Sequence, residues 1–208
     1  MDLNNLISFL TASVLLTLMP GPDNMYVLIE SVTKGYKTGI AIATGLVSGI
    51  VIHTLIASTG LSLFFLNSDI AFKIIRIGGI LYLLYLAFLA VRENVGNDQY
   101  ITFRHENKNS FWRLFRRGFL MNVMNPKVTL FFIAFLPQFI TVNGLNVSIQ
   151  MIIMGFLFMI QAIIIFIMIS VLAGKLSMSI QNKKFWLITK CLKVAILISI
   201  AVGLLFLR

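Results

Sequence analysis

The sequence predicts an all-α, polytopic membrane protein: six transmembrane helices arranged as two inverted three-helix repeats, with both termini outside. Three observations carry this. Of 208 residues, 59% are hydrophobic and 12% charged, with mean hydropathy +0.95; soluble domains run nearer half apolar and a quarter charged. The apolar residues gather into six stretches, each near or above the roughly 20 residues that a helix needs to cross the hydrocarbon. The cations fall almost entirely between alternate stretches.

The first stretch is Leu6–Ile29. Asp2 is its only early charge and no small-residue cleavage site precedes Pro20, so it reads as a retained helix and not a signal peptide. Gly39–Leu66 is the second, and Ile70–Val91 the third, with Lys73 and Arg76 in its opening turns. Phe111–Ile140 is the fourth, its cationic start placed at the interface. Val147–Ala173 and Phe185–Leu207 complete the set. None keeps the period-two alternation of a barrel strand.

Orientation follows from Lys and Arg. Lys34 and Lys37 follow the first stretch; Arg92, Arg104, Lys108, Arg113, Arg116 and Arg117 follow the third. Lys175, Lys183, Lys184, Lys190 and Lys193 follow the fifth. These are thirteen of the 17 cations, against Lys73, Arg76 and Arg208 on the other side, with Lys127 inside the fourth stretch. A Lys/Arg excess marks cytoplasmic loops. The net charge of +10 therefore reports topology, and no nucleic-acid partner is expected. The polar run 92–110 separates a first repeat, 1–91, from a second, 111–208. It reads as a cytoplasmic connector, with a regulatory role as the alternative.

Cys191 stands alone, which excludes an intramolecular disulfide, a thiol relay or a thiolate metal cluster. His53 and His105 have no ligand-like spacing around them. Neither a metal nor a cofactor is expected, and no nucleophile–base motif points to an enzyme.

Three helices per repeat turn the second repeat upside down relative to the first. Transporters built this way bind substrate where corresponding helices are interrupted. Both halves carry such an interruption: Pro20-Gly21-Pro22-Asp23-Asn24 in the first stretch, and Asn122-Val123-Met124-Asn125-Pro126-Lys127 in the fourth. Pro20 and Pro126 fall at about the same depth, and each removes a helical hydrogen bond. Lipid has no partner for the freed backbone groups. Simple kinks are the alternative, but two matched breaks beside ionisable and amide side chains favour a binding site.

Ionisable groups within spans are functional candidates. For Asp23 and Lys127 two readings stand. Either the pair approaches one another or a shared ligand, or Asp23 caps the half-helix after Pro22 while Lys127 snorkels, and both roles can coexist. Asn24, Asn122 and Asn125 add neutral donors and acceptors at the same level. A small zwitterion suits the set: half-helix amides for a carboxylate, Asp23 and free carbonyls for an ammonium. Ala41, Gly45, Gly49 and His53 fall on one face of the second stretch, a spacing that lets helices approach closely. His53 reads as a hydrogen-bonded packing residue, with proton carrier as the alternative; Asp23 is the other proton-coupling candidate. Gln161 is expected in the bundle interior.

At these residues the chain resembles the LysE/RhtB family of bacterial amino-acid exporters. The resemblance rests on Pro20-Gly21-Pro22, on Gly45 through His53, and on Gly118-Phe119-Leu120-Met121-Asn122-Val123-Met124-Asn125-Pro126-Lys127, continuing to Phe135-Leu136-Pro137-Gln138-Phe139. It implies a multi-pass protein of the bacterial plasma membrane that exports amino acids or related small metabolites, energised by protons. Pro20, Gly21, Pro22, Asp23, Asn24, Asn122, Asn125, Pro126 and Lys127 are the expected substrate-binding residues. A cation or heavy-metal exporter and a non-transporting receptor or assembly subunit are the competing readings, and the glycine-rich faces make a homodimer plausible. No GxxxxGK[ST] loop is present for ATP-driven transport.

Overall fold

Proline decides where the first and fourth apolar stretches stop being straight. In a computed structural model, which describes residues 2–61, 69–92, 110–141, 144–180 and 183–206, the first is two helices, α1 (Leu3–Leu18) and α2 (Pro22–Lys34), bent by 55°. The fourth is α5 (Phe111–Val123) and the short α6 (Pro126–Leu130), with the segment Pro126–Phe139 bent by 47° from α5. Beyond α6 the chain winds through a π turn, Phe131–Phe135, and a 3-10 turn, Leu136–Phe139. Pro137 interrupts the ladder there, and the Gln138 side-chain amide donates to the Ala134 carbonyl at 2.6 Å.

The remaining stretches are single helices. α3 (Tyr36–Ile56) continues into a π turn at Ala57–Leu61. α4 is Asp69–Arg92, α7 is Val147–Ile180 and α8 is Lys183–Phe206. Among the described residues every element is helical. Two segments, Tyr36–Thr59 and Val147–Ala173, are long and apolar enough to cross a membrane alone, and up to four spans result if each bent pair is one. The far end of the second stretch, most of the linker (93–109) with His105, and the last two residues lie outside the described residues.

Outward-facing side chains fit a lipid solvent. On α7, Ile149, Ile152, Phe156, Ile160, Ile164, Ile167 and Val171 are all exposed at three- and four-residue spacing, which draws an apolar stripe along one face. In α5 the arrangement is amphipathic: Leu114, Gly118 and Asn122 are buried, while Phe111, Trp112, Arg113, Arg116 and Arg117 are exposed. The cationic start expected at the interface is thus most of a helix.

Glycine sets how closely α3 and α5 approach. A Cβ on Gly45 would collide with the Phe115 carbonyl, and one on Gly118 with the Ile42 carbonyl. One on Gly49 would lie 2.8 Å from Asn122 Oδ1. The stripe read from Gly45 and Gly49 is therefore a packing surface, and it presses α3 against the stretch that leads into the second break.

Where the chain turns back into α7, Gln150 is fully buried and mimics a strand edge. Its Oε1 accepts from the Thr141 amide at 3.1 Å, and its Nε2 donates to the carbonyls of Thr141 (2.9 Å) and Leu145 (2.6 Å). Replacing it with Ala leaves three backbone groups without that partner, each bond being worth about 1 kcal/mol. Gln150→Ala is expected to lower the Tm of the detergent-purified protein by several degrees; an unchanged Tm would show that the loop holds without this latch.

Candidate functional site

Each proline that breaks a span leaves a named carbonyl without its helical donor. An amide at position i bonds the carbonyl at i−4, so Pro20 deprives Leu16, Pro22 deprives Leu18 and Pro126 deprives Asn122. The bend after Leu18 also removes the Gly21 amide from Thr17. In an apolar surrounding, such groups need other partners, and side chains supply them at Leu16, Thr17 and Asn122. Lys127 Nζ donates to the Leu16 carbonyl at 3.3 Å and to the Met19 carbonyl at 3.4 Å. Asn24 Nδ2 donates to the Thr17 carbonyl at 2.7 Å. His53 Nε2 lies 3.1 Å from the Asn122 carbonyl; since a carbonyl only accepts, Nε2 carries the proton. The Asn125 amide shares that carbonyl at 2.9 Å.

The filling is reciprocal. Lys127, from the second broken span, closes the first break, and His53, from α3, closes the second. The two breaks are also built alike. Gly21 and Asn125 are the N-caps of α2 and α6, Pro22 and Pro126 the first helical residues, and Asp23 and Lys127 the second. The positional equivalent of Pro126 is therefore Pro22, and not Pro20 as equal depth in the sequence implies. Proline suits the first helical position because its missing donor has no helical partner there anyway.

Asp23 and Lys127 meet: Nζ to Oδ2 is 3.4 Å, with side chains 4% and 9% exposed respectively. Of the two readings of this pair, the structure shows the approach. Gly21 makes room for it, because a Cβ there would lie 2.9 Å from Asp23 Oδ1 and 3.3 Å from Lys127 Nζ. Asn125 Oδ1 accepts from the Lys127 amide at 3.0 Å and fixes the start of α6. Four buried polar atoms around the breaks have no hydrogen-bond partner: Asp23 Oδ1, Asn24 Oδ1, Asn122 Oδ1 and Asn125 Nδ2. Buried polar groups are ordinarily satisfied, so this cluster holds spare capacity for a ligand.

The sequence reading left out Thr17 and Ser13. Thr17 Oγ1 donates to the Ser13 carbonyl at 2.9 Å and accepts from Gln161 Nε2 at 2.9 Å, which ties α7 to the first break. Gln161 faces the interior as expected, but its closeness to the site had no local mark. A threonine within an apolar run, three residues before a span-breaking proline, was the available signal. On the other flank of the pair, Phe9, Phe131, Phe132, Phe135, Phe139 and Phe158 form a buried aromatic cluster, with Phe131 5.9 Å from Phe9, 5.4 Å from Phe135 and 5.4 Å from Phe158. A crevice of about 10 Å³ bordered by Leu16, Tyr82, Leu83, Lys127 and Phe131 has room for about one water. The groups at the breaks are closed around one another.

His53 is 4% exposed and its ring lies 5.9 Å from that of Phe132. Its bond to Asn122 supports the packing role. His53→Gln, which keeps an N–H donor within reach of the Asn122 carbonyl, is expected to lose little thermal stability, and His53→Leu, which leaves that carbonyl to the Asn125 amide alone, to lose more; equal melting of the two would show that the ring packs without using the bond.

Among the described residues no group of three or more His, Cys, Asp or Glu is placed to hold a metal ion. The family pattern described as LysE type translocator matches residues 14–208. The chain is 29% identical over 189 residues to the uncharacterized membrane protein YrhP of Bacillus subtilis (strain 168), covering 88% of this chain and 90% of that one. It is 32% identical over 133 residues to a homoserine/homoserine lactone efflux protein of Salmonella typhimurium, covering 64% of this chain and 63% of that protein. A Salmonella typhi protein of the same description is 33% identical over the same shares. No solved structure matches.

Proposed function

This chain belongs to the LysE type translocator family, and on that premise we propose that it is a secondary active exporter of amino acids or closely related small metabolites. It is a multi-pass protein of the bacterial inner membrane. The observation that carries the proposal is the buried Asp23–Lys127 contact between two broken spans. Opposite charges at equivalent positions of two breaks offer one partner for a carboxylate and one for an ammonium. The relatives described as homoserine/homoserine lactone efflux proteins support a small solute with a primary ammonium group.

In this reading the six stretches are six spans in two inverted triplets, and export proceeds by alternating access, one triplet rocking against the other. Pro20, Gly21, Pro22, Asp23, Asn24, Asn122, Asn125, Pro126 and Lys127 line the path, and the proton gradient drives the cycle. The aromatic cluster around Phe131 closes one side of the pair. The cation bias of the loops supports a cytoplasmic entry on the side of Lys34, Lys37 and Arg117.

The test is export from intact cells. Cells loaded with mixed dipeptides, with and without the protein, are followed by mass spectrometry of internal and external amino acids, with an uncoupler in parallel. Faster external appearance of particular amino acids, abolished by the uncoupler, is the expected result. Unchanged release with the protein present in the membrane would sink the proposal.

A further inference from the structure

Three oxygens converge on Lys127 Nζ, and all three come from eight consecutive residues around the first break. The Leu16 carbonyl is at 3.3 Å, the Met19 carbonyl at 3.4 Å and Asp23 Oδ2 at 3.4 Å. An ammonium has three N–H donors and no acceptor, so the set matches its valence. The cradle is a product of the break itself: the Leu16 carbonyl is free because Pro20 has no amide, and Gly21 leaves open the space that Nζ approaches. Lys127, in contrast, arrives from the other half of the chain. The three oxygens therefore all belong to the first break, and Lys127 is its occupant.

The fit is slack. Charge-assisted N–H to O contacts usually lie at about 2.7–2.9 Å, and all three here are longer. Asp23 uses one oxygen on Lys127, while its Oδ1 stays buried without a partner. The cradle has room for a closer cation and for one more donor than Lys127 gives it.

The geometry points to the break at Leu16–Asp23 as a binding site for the primary ammonium group of the exported solute, which Lys127 holds shut by occupying it as a tethered ammonium until solute displaces it. This rests on the export reading above and adds to it the division of labour. The solute's ammonium enters the cradle, and the released Lys127 Nζ becomes available to the solute's carboxylate where one is present. A tethered group competes at an effective concentration of roughly millimolar or more, so a solute with a single ammonium contact displaces it poorly. One that also meets the freed Lys127 displaces it well. The requirement for both groups is how the site favours zwitterions over simple amines.

Matched probes separate the parts. n-Propylammonium carries the ammonium alone, and propionate the carboxylate alone. Binding is read as the thermal shift of the protein in lipid nanodiscs, at constant ionic strength with Na⁺ as the reference cation. Lys127→Met keeps the stem and removes the ammonium. In this variant propylammonium is expected to raise Tm by about 3–6 °C at ten times its Kd. Wild type should show no shift at the same concentration, and Asp23→Asn/Lys127→Met none either.

Lys127→Ala is the second variant, since propylammonium supplies the three carbons and the nitrogen that it deletes. If Lys127→Met does not fold, recovery of monodisperse Lys127→Ala only with propylammonium is the expected result. The proposal is overturned if neither variant responds, or if wild type or the double variant responds equally. A shift produced by Na⁺ and not by propylammonium overturns it too, as does a propionate shift that survives Lys127→Met. Each of these can occur while wild type still exports amino acids, so the cradle can fail with export intact.

Discussion

Lys127→Met is expected to reduce export by at least tenfold while the protein still inserts into the membrane. The substitution leaves the Asp23 carboxylate, 4% exposed, facing no cation. Removing one partner of a buried pair costs about 3–5 kcal/mol, because the remaining charge is stranded. It also takes the donor away from the Leu16 and Met19 carbonyls. Asp23→Asn strands Lys127 in the same way and is expected to match it in export. The neutral double variant, Asp23→Asn/Lys127→Met, has no stranded charge. Its Tm should recover part of the loss seen in the single variants, while export stays low. If either single variant exports at the wild-type rate, measured as the initial rate of amino-acid release per molecule in the membrane, the pair has no part in transport.

A bulky side chain at Gly45 or Gly118 is the second large effect. Both glycines place their Cα atoms against backbone carbonyls of the opposing helix, Phe115 for Gly45 and Ile42 for Gly118. Backbone cannot rotate aside as a flexible side chain does, so α3 and α5 must separate. Overpacking costs about 1–3 kcal/mol where side chains can adjust, and these contacts exceed that case. Gly45→Leu and Gly118→Leu are expected to abolish recovery of monodisperse protein. Gly78 is the control, with nothing within 4 Å of a Cβ placed there. Gly78→Leu adds helix propensity of about 1 kcal/mol and should leave Tm unchanged or raised. Equal recovery of all three on size-exclusion chromatography would show that the α3–α5 contact is not what holds the two halves together.

Legibility from sequence divided along a physical line. Groups whose chemistry conflicts with lipid could be read directly, because a proline, an aspartate or a lysine in an apolar run is costly wherever it sits. Hence the two breaks, the candidacy of Asp23 and Lys127 and the packing role of Gly45 and Gly49 were visible before the fold, while the approach of Asp23 to Lys127 was one of two open readings. Partnerships between ordinary residues were not. Phe9 and Phe131 lie 122 positions apart in numbering and touch only through folding, and nothing local in either phenylalanine names the other. The carbonyls of Leu16 and Met19 had no side-chain signature either, though the rule linking Pro20 to Leu16 could have nominated one of them. Equal depth misaligned the breaks by two residues because Pro20 lies before the second half-helix, whereas Pro22, like Pro126, begins one.

The length of α7 has a consequence for where this protein works best. Its apolar part, Val147–Ala173, has 27 residues and so measures about 40 Å at 1.5 Å per residue. The hydrocarbon of a typical bilayer is about 30 Å thick. A helix that outreaches its bilayer leans, or draws the lipid thicker around it. α7 packs on α1, α2 and α3, and through Gln161 it grips Thr17 just ahead of the first break. Any change in lean is therefore carried to the bend between α1 and α2. Acyl-chain length is therefore expected to change the export rate in reconstituted vesicles: longer lipids let α7 stand upright, shorter ones lay it over, and the bend follows.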